Sequence, residues 1–249
     1  MEPSPLVSLL IPAYNEERYL APVLTRVHES FAAAGWADYE VVVCDNNSSD
    51  RTTDVARAGG ARVVHEPHNQ ISRARNTAAR AARGRWLIFV DADTLVSPEL
   101  LAVTLRRFQG GRVCAGGAAL RFDLSELNAT ARSLLWVWNR ISALAKLAAG
   151  SYVYCYRQAW EDCGGFDEGV YAGEEIYFSR RLKRWARARG LRFEILTATP
   201  VVTSGRKVQW YGQGQLLWRS LKMLRPGALK RRDDCGLWYT RPPQERPQE

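Results

Sequence analysis

The chain has 249 residues, of which 46% are hydrophobic and 24% are charged, and its formal net charge is +9 at pH 7. This composition is that of a globular domain and excludes a largely disordered or low-complexity chain. The positive charge favours anionic partners, which include nucleic acid, anionic membranes and phosphate-rich small molecules.

Strands and helices are predicted to alternate four times in the first half of the chain. In chain order we predict a strand at Leu6–Pro12, a helix from Leu20 that ends at Gly35, a strand from Tyr39, a helix at Thr52–Gly59, a strand at Ala61–Pro67, a helix at Ser72–Arg83, a strand at Trp86–Val90 and a helix starting at Ser97. This alternation predicts an α/β fold with a Rossmann-like, mostly parallel central sheet flanked by helices. Ligands bind such sheets at the carboxyl ends of the strands.

The second half of the chain is less regular. We predict strands at Arg112–Leu120, Ser151–Tyr156 and Leu191–Leu196, and helices at Glu126–Leu147, Glu174–Arg189 and Lys207–Leu224. We find no repeat and no linker that marks a boundary, so we expect a single domain over residues 1–240. Residues 241–249, rich in proline, are expected to be a disordered tail.

The cysteines and the apolar segments indicate the compartment. The chain has five cysteines, an odd number, without a Cys-x-x-Cys pair. This favours reduced thiols in the cytoplasm over disulfides or a zinc site. The N-terminal sequence lacks the features of a signal peptide, and Ser133–Gly150 is interrupted by Arg140 and Lys146, whereas a membrane span needs roughly 20 mostly apolar residues. We therefore expect a cytoplasmic protein without a transmembrane helix.

Acidic residues follow the predicted strands. Asp91 and Asp93 come directly after the apolar run Trp86–Val90, and residues two apart in an extended segment point the same way. Two such carboxylates suit Mg²⁺ or Mn²⁺. The alternative is an Asp that caps the next helix, but Ser97 already suits that role. Asp45, at the end of the second strand, is placed to accept hydrogen bonds from a base or from ribose, although turn chemistry alone explains the residues after it.

Five segments in this order resemble the motifs of family 2 glycosyltransferases with the GT-A fold. They are LLIPAYNEE, VVVCDNNSSDRT, SRARNTAARAARGRWLIFVDADT, CGGFDE and GEEIYFSRRL, and the resemblance runs from about Val7 to Gly190. It implies a GT-A fold with a nucleotide-sugar-binding half at residues 1–110, a smaller acceptor half at 111–205 and a C-terminal helical extension at 206–240.

The resemblance also implies roles for individual positions. The nucleotide-sugar site would comprise Pro12, Ala13, Tyr14, Glu16, Asp45, Arg75, Asp91 and Ala92. Asp45 would contact the base, usually uracil, and Asp91 the ribose or the sugar. Asp93 would bind the divalent metal, Mg²⁺ or Mn²⁺. Gly164, Gly165 and Phe166 would border the acceptor.

The catalytic base would be Glu175, with Glu174 as the alternative, because the family commonly has Glu-Asp where this chain has Glu-Glu. A second departure is Asn46-Asn47, where the family often has further acidic or glycine residues. Some relatives add a metal-binding His in the C-terminal region. All three histidines here precede Asp91, so Ser204 or water would replace that ligand.

The resemblance implies an inverting glycosyl transfer. The donor would be a nucleoside diphosphate sugar, UDP-sugar favoured, and the acceptor a saccharide or a lipid-linked hydroxyl. The alternatives are a polyprenyl-phosphate glycosyltransferase at the membrane surface and a nucleotide-sugar-binding protein without transfer activity. A nucleotidyltransferase is disfavoured because PAYNEERYL contains no Gly, and nucleic-acid binding is disfavoured because the aromatic residues form no recognisable motif.

A peripheral contact with anionic membrane is compatible with this function. The segment Ser133–Ala149 carries Leu134, Trp138, Ile141 and Leu144 together with basic residues. Core packing is the favoured expectation for this segment. The sequence does not indicate the oligomeric state.

Overall fold

The computed structural model describes residues 6–122, 129–205, 222, 225 and 227–239. The strands are β1 (Val7–Ala13), β2 (Tyr39–Asp45), β3 (Arg62–His65), β4 (Trp86–Val90), β5 (Thr94–Leu95), β6 (Val113–Phe122), β7 (Tyr152–Tyr156) and β8 (Arg192–Thr203). The helices are α1 (Leu20–Ala33), α2 (Thr52–Ala58), α3 (Ile71–Ala81), α4 (Pro98–Gln109), α5 (Ala129–Ala145), α6 (Arg157–Asp162), α7 (Glu174–Ala188) and α8 (Gly236–Tyr239). Two 3₁₀ turns, Ala228–Lys230 and Arg232–Cys235, precede α8.

All the strands belong to one sheet of order β3-β2-β1-β4-β7-β6-β8-β5. Strands β1 to β4 are mutually parallel, β7 runs antiparallel to β4 and β6, and β8 runs parallel to β6. Strands β6 and β8 therefore run in the same direction as β1. The predicted α/β fold with a mostly parallel central sheet is confirmed.

The central strands of the sheet are apolar at nearly every position, and the sheet is covered on both faces. In β1, Leu9 and Ile11 belong to one hydrophobic cluster, whereas Leu10, between them, belongs to the other. In β4, Ile88 and Phe89 divide in the same way. Alternate side chains of a strand point to opposite faces, so a continuous apolar run needs a helical layer on each side. Helices α1 and α4 supply one layer, and α3, α6 and α7 supply the other.

Strand β8 is longer than predicted. The predicted strand ends at Leu196, whereas β8 continues to Thr203. Between the pairs Ala118↔Leu196 and Leu120↔Val201, β8 advances by five residues while β6 advances by two. This bulge contains Pro200, which lacks a backbone donor and made a strand end look plausible from sequence. The extension carries Ser204 to the edge of the sheet at which β1, β2 and β4 end.

The structure also corrects the expectation for Ser133–Ala149. Residues 129–145 are helical, as predicted, and Asn139 bonds to both backbone groups of Leu120 on β6. The predicted core packing is wrong for the opposite side of α5, where Trp136, Ile141 and Leu144 are exposed. The spacing of apolar residues does not show whether other elements cover both sides of a helix. Here α5 contacts β6 through the hydrogen bonds of Asn139.

Other predictions fall outside the described ranges. Most of the predicted helix Lys207–Leu224 and the tail at 241–249 lie there. The division of residues 1–240 into halves and an extension stays a prediction. In the part of the chain that is described, no helix is both long and apolar enough to cross a bilayer.

We expect Gly116 to be required for the sheet. Strand β6 passes between β7 and β8, and a Cβ on Gly116 would lie 2.0 Å from the Glu194 carbonyl oxygen and 2.5 Å from the Tyr154 hydroxyl oxygen. A backbone group of the neighbouring strand cannot move aside without breaking the ladder, so Gly116→Ala should lower the free energy of unfolding by about 3 kcal/mol. Urea unfolding followed by circular dichroism measures this.

The matched control is Gly110→Ala. Gly110 caps α4 with φ of −66°, which Ala adopts without strain. Its free energy of unfolding should change by less than about 1 kcal/mol. Equal stability of the two variants would contradict the proposed steric constraint.

Candidate active site

The loops after β1 and β2 are joined at the carboxyl edge of the sheet. The Asn46 amide donates to the Ala13 carbonyl at 2.8 Å, and the Asn15 amide donates to Ser48 Oγ at 3.0 Å. The Glu16 amide donates to Thr52 Oγ1 at 2.7 Å. Asn15 adopts a left-handed conformation, with φ of 52°, which Asn tolerates better than most residues. The predicted segment Pro12, Ala13, Tyr14 and Glu16 is therefore held beside the end of β2.

Asp45 lies at this junction. Its Oδ1 accepts a hydrogen bond from the Ser48 amide at 3.0 Å, and its Oδ2 lies 3.4 Å from His65 Nδ1 at the end of β3. Both interactions fix the carboxylate at the rim of the sheet. Its contact with a base stays a prediction.

Arg75 is the central charged group of the site. Its side chain is buried, with the residue 1% exposed, and it extends from α3 to three different elements. One terminal nitrogen donates to Asp91 Oδ1 at 2.8 Å and to the Gly150 carbonyl at 2.9 Å, and the other donates to Glu174 Oε1 at 2.5 Å. We call Arg75, Asp91 and Glu174 the Arg75 network. It connects the end of β4 to the first turn of α7.

This network changes the interpretation of two predicted residues. Arg75 was expected near the nucleotide, and Asp91 near the ribose or the sugar. Both of the guanidinium's terminal nitrogens are bonded within the protein, and Asp91 is one of their acceptors. Arg75 therefore binds carboxylates of its own chain. A buried guanidinium needs such partners because an uncompensated charge is strongly destabilising.

The loop with Gly164, Gly165 and Phe166 packs beneath this network. The Phe166 ring is buried, with its centroid 5.2 Å from the guanidinium carbon of Arg75. Asn76 donates to the Phe166 carbonyl at 2.9 Å and accepts from the Phe166 amide at 2.8 Å. Gly165 has a φ of +66°, and a Cβ there would lie 2.5 Å from Asn76 Oδ1. The phenyl ring thus supports Arg75, and contacts of an acceptor with Gly164, Gly165 and Phe166 stay predictions.

Asn76 is a residue that sequence reasoning missed. It is buried in α3, next to Arg75. Asn is a poor helix former, because its side chain competes for backbone groups. An Asn in the middle of an Ala-rich helix was therefore a signal of a tertiary role.

The adjacent residues Glu174 and Glu175 have different environments. Gly173, with φ of 73°, precedes them and caps the start of α7. Glu174 is buried against Arg75, whereas Glu175 is partly exposed. Neighbouring residues diverge by about 100° around a helix, as expected from 3.6 residues per turn. Glu174 is therefore not part of an ordinary surface helix start.

Their protonation differs as well. Burial raises the pKa of Glu174, and the Arg75 guanidinium opposes the rise. Burial, followed by the negative charge of Glu174, raises the pKa of Glu175 to about 8. A carboxyl with this pKa takes up and releases a proton near neutral pH, which suits acid or base chemistry.

Asp93 lies in the short loop between β4 and β5, two residues after Asp91. The Ser204 amide donates to the Asp93 carbonyl at 3.1 Å, and Thr94 pairs with Thr203 through their hydroxyl groups at 2.9 Å. The end of β8 is thus beside Asp93, and a ligand role for Ser204 stays a prediction. Asp93 is itself partly exposed at the rim.

The Asp93 carboxylate suits a divalent cation that takes most of its other ligands from a bound molecule. Among the described residues there is no group of three or more His, Cys, Asp or Glu side chains that could hold a metal. Asp91, the nearest acid in sequence, is bonded to Arg75. Mg²⁺ typically uses one or two carboxylates and completes its shell with water and phosphate oxygens, and Asp93 matches that pattern.

Residues 227–239 form part of the wall of the site, which sequence reasoning also missed. The Tyr171 amide donates to the Leu229 carbonyl at 2.6 Å, and the Ile71 amide donates to the Tyr239 hydroxyl at 3.3 Å. This segment therefore covers the start of α3 and the loop before α7.

Comparison with known proteins identifies relatives of this chain. The Chondroitin synthase of Escherichia coli is 27% identical over 174 residues, which are 67% of this chain and 25% of that protein. The matched region spans between 25% and 30% of the length of the first three curated relatives.

Solved structures show the same fold. The mannosyltransferase PcManGT from Pyrobaculum calidifontis, in complex with GDP-Man and Mn²⁺, has a TM-score of 0.65 at 21% identity, with 92% of this chain and 64% of that chain covered. S. aureus TarS 1-349 in complex with UDP-GlcNAc has a TM-score of 0.62 at 18% identity, with 90% of this chain and 66% of that chain covered.

A family model described as "Glycosyl transferase family 2" matches residues 8–158, which include β1 to β4, the Arg75 and Asp91 positions and Asp93. That match covers more than half of the chain. The chain therefore belongs to glycosyl transferase family 2.

Proposed function

We propose that the protein transfers a hexose from a nucleoside diphosphate sugar to an acceptor hydroxyl, with inversion at the anomeric carbon and with Mg²⁺ or Mn²⁺ bound. One observation carries this proposal: the Arg75 network joins the acidic end of β4 to a carboxyl pair at the start of α7. The residues proposed for diphosphate and metal binding and those proposed for proton transfer would then share one rim of the sheet.

The donor would bind along the ends of β1, β2 and β4. Asp45 would accept from the base, and we favour uracil because of the family pattern at this position. PcManGT was solved with GDP-Man and TarS with UDP-GlcNAc, so structures of this fold accept different bases. The choice of UDP therefore depends on Asp45 and its surroundings.

Asp93 would hold the cation together with the donor's diphosphate. A bound divalent cation stabilises the negative charge that grows on the leaving phosphate. Support for such an ion comes from the donor set around Asp93 and from PcManGT, which was solved with Mn²⁺.

Glu175 would accept the proton of the attacking hydroxyl. Glu174 is already bonded to Arg75, and this leaves the partly exposed Glu175 as the carboxyl able to meet an acceptor. Direct attack from the side opposite the leaving diphosphate inverts the anomeric centre. We propose saccharides and lipid-linked saccharides as acceptors, in the synthesis of cell-envelope polysaccharide, glycolipid or another glycoconjugate. The chondroitin synthase relative is compatible with a saccharide acceptor.

Asp93→Asn should remove metal-dependent donor binding. A ligand at 100 times its dissociation constant stabilises a protein by about 2.7 kcal/mol, which raises the melting temperature of a domain of this size by roughly 5 to 10 °C. We expect that shift for the wild type with UDP and Mn²⁺, and its loss in the variant. Differential scanning fluorimetry with UDP, GDP and TDP, each with and without Mn²⁺, measures it.

Asp54→Asn is the matched control, because Asp54 is an exposed carboxylate on α2. It should keep the full shift. If Asp93→Asn kept the Mn²⁺-dependent shift, Asp93 would not be the metal ligand, and if no nucleotide stabilised the wild type, the donor class would be wrong.

Glu175→Gln should bind the donor normally and transfer the sugar about 10²- to 10⁴-fold more slowly, because it lacks the base. The wild-type kcat/KM should rise with pH until about 8, since only the ionised carboxylate of Glu175 accepts a proton. The variant should lose this rise. Steady-state kinetics between pH 5.5 and pH 9, with stereochemistry determined by NMR of the product, provide both measurements.

Glu174→Gln is the companion variant. It should lower stability, because it removes a buried partner of Arg75, while a rise of kcat/KM with pH persists in the folded fraction. The opposite result, with Glu174→Gln folded but inactive and Glu175→Gln active, would transfer the role of base to Glu174. Normal donor binding with no transfer by the wild type to any acceptor would favour a nucleotide-sugar-binding protein.

Arg75→Lys should weaken both the fold and the reaction. A Lys side chain carries the charge but cannot reproduce the two-sided geometry that reaches Asp91 and Glu174 together. We expect the free energy of unfolding to fall by about 3 kcal/mol, as for other broken buried ion pairs, and kcat to fall with it. Urea unfolding and initial-rate kinetics measure these changes.

Arg80→Lys, on the exposed side of the same helix, is the control and should be near neutral. An Arg75→Lys variant with weaker donor binding but unchanged stability would instead support direct contact with the nucleotide.

A further inference from the structure

Helix α5 carries an exposed apolar strip that the proposed reaction does not use. Trp136 is 60% exposed, Val137 43%, Ile141 47% and Leu144 82%. These four residues, which we call the α5 face, are one, four and three positions apart and so lie within an arc of about 140° on one side of the helix. From Trp136 to Leu144 the strip is about 12 Å long, at a rise of 1.5 Å per residue. Scattered exposed apolar residues are normal, but an aligned strip marks an interaction surface.

Cations border the α5 face. The Arg140 guanidinium lies 5.2 Å from the centroid of the Trp136 ring. At the end of the helix, Lys183 Nζ donates to the Ala145 carbonyl at 2.6 Å. Burial and the positive charges of Arg180 and Lys146 lower the pKa of Lys183, so these three cations are close together. The sequence from residue 127 to residue 160 contains no Asp or Glu.

We propose that the α5 face docks on the surface of an anionic lipid bilayer. Apolar side chains would enter the boundary between headgroups and acyl chains, with Trp136 at the interface, where its amphipathic ring is favoured. Arg140, Lys146, Arg180 and Lys183 would remain at the level of the lipid phosphates. Each basic residue near an anionic surface contributes about fivefold to binding.

The charge pattern favours lipid over the other candidate partners. In a symmetric dimer formed through the α5 face, a patch bordered by cations would meet a second patch bordered by the same cations, because a twofold interface uses the same surface on both sides. The acid-free helix offers no counter-charge for that contact. Nucleic acid would neutralise the cations but would leave the four apolar side chains in water.

The position of the α5 face connects it to the active site. Five residues after α5, the Gly150 carbonyl accepts from Arg75 at 2.9 Å, and the Ala148 amide donates to Ser179 Oγ of α7 at 3.0 Å. Tyr177, two residues after Glu175, is exposed as well. Docking would hold Glu175 near the membrane and select amphiphilic acceptors with a lipid anchor. This consequence rests on the proposed transfer reaction, whereas the docking itself does not.

Vesicle co-sedimentation of the full chain, without donor, tests the docking. We expect binding to vesicles of phosphatidylcholine with 30% phosphatidylglycerol, at about 0.1 M salt, and little binding to phosphatidylcholine alone. The double variant Trp136→Ser and Leu144→Ser should bind more than tenfold more weakly, with an unchanged melting temperature, because both side chains are exposed. Lys146→Glu should lose at least about fivefold, whereas Arg57→Glu, an exposed charge reversal on α2, should bind like the wild type.

Three results would overturn the docking proposal. They are absence of binding to the anionic vesicles, equal binding by the double variant, and a wild-type dimer in sedimentation analysis that the double variant abolishes. If the protein bound DNA or RNA in preference to vesicles, and the double variant still did so, nucleic acid would replace lipid as the proposed partner. Transfer to a soluble acceptor should be unaffected by the double variant. Vesicle binding without any transfer activity would therefore contradict the proposed function but would still support the docking proposal.

Discussion

The buried guanidinium of Arg75 is the constraint on which the rest of the site depends. Removing a cation from water is strongly unfavourable unless its charge and its hydrogen-bond donors are satisfied. Here the end of β4, the turn at Gly150 and the first turn of α7 each supply an acceptor. Because Arg75 is fixed in α3 and rests on Phe166, these acceptors cannot move independently. The site is therefore preorganised by a charge, and no part of the network can be changed alone.

This arrangement explains how two identical neighbouring side chains can have different roles. The helix turns Glu174 inward, where Arg75 compensates its charge. Glu175 then experiences both burial and the negative charge of its neighbour, and its pKa rises to about 8. Without Arg75, two carboxyls in this environment would compete for the ionised state. With Glu175 as the proposed base, the Glu-Glu pair would provide one structural and one reactive carboxyl, because a single guanidinium distinguishes between them.

Features of the fold and site that depend on residues close together in the chain could be predicted from sequence, whereas contacts between distant residues could not. Strands β1, β2 and β4 were visible because each is a short apolar run ending in polar residues, and the parallel order then places Asp45, Asp91 and Asp93 on one rim. The partners of Arg75 lie 16 and 99 positions away in the chain, so no local pattern could show them. Asp91 looked like a ligand for a donor because its spacing to Asp93 is local, whereas its bond to Arg75 is tertiary. For the same reason, the apolar period of α5 indicated a helix but not which side of it the protein would leave uncovered.

The distribution of charge connects the site to the outer surface. At the rim, Arg75 is already compensated by Asp91 and Glu174, so the chain's excess of positive charge does not act there through this residue. In the proposed function, an anionic diphosphate approaching Asp45 and Asp93 would meet carboxylates, and an added cation would make that approach favourable. Among the described residues, Arg140, Lys146, Arg180 and Lys183 lie instead near the exposed apolar side chains of α5. The proposed docking on an anionic bilayer would therefore use part of the chain's excess positive charge, which a donor bound through an added cation would not require.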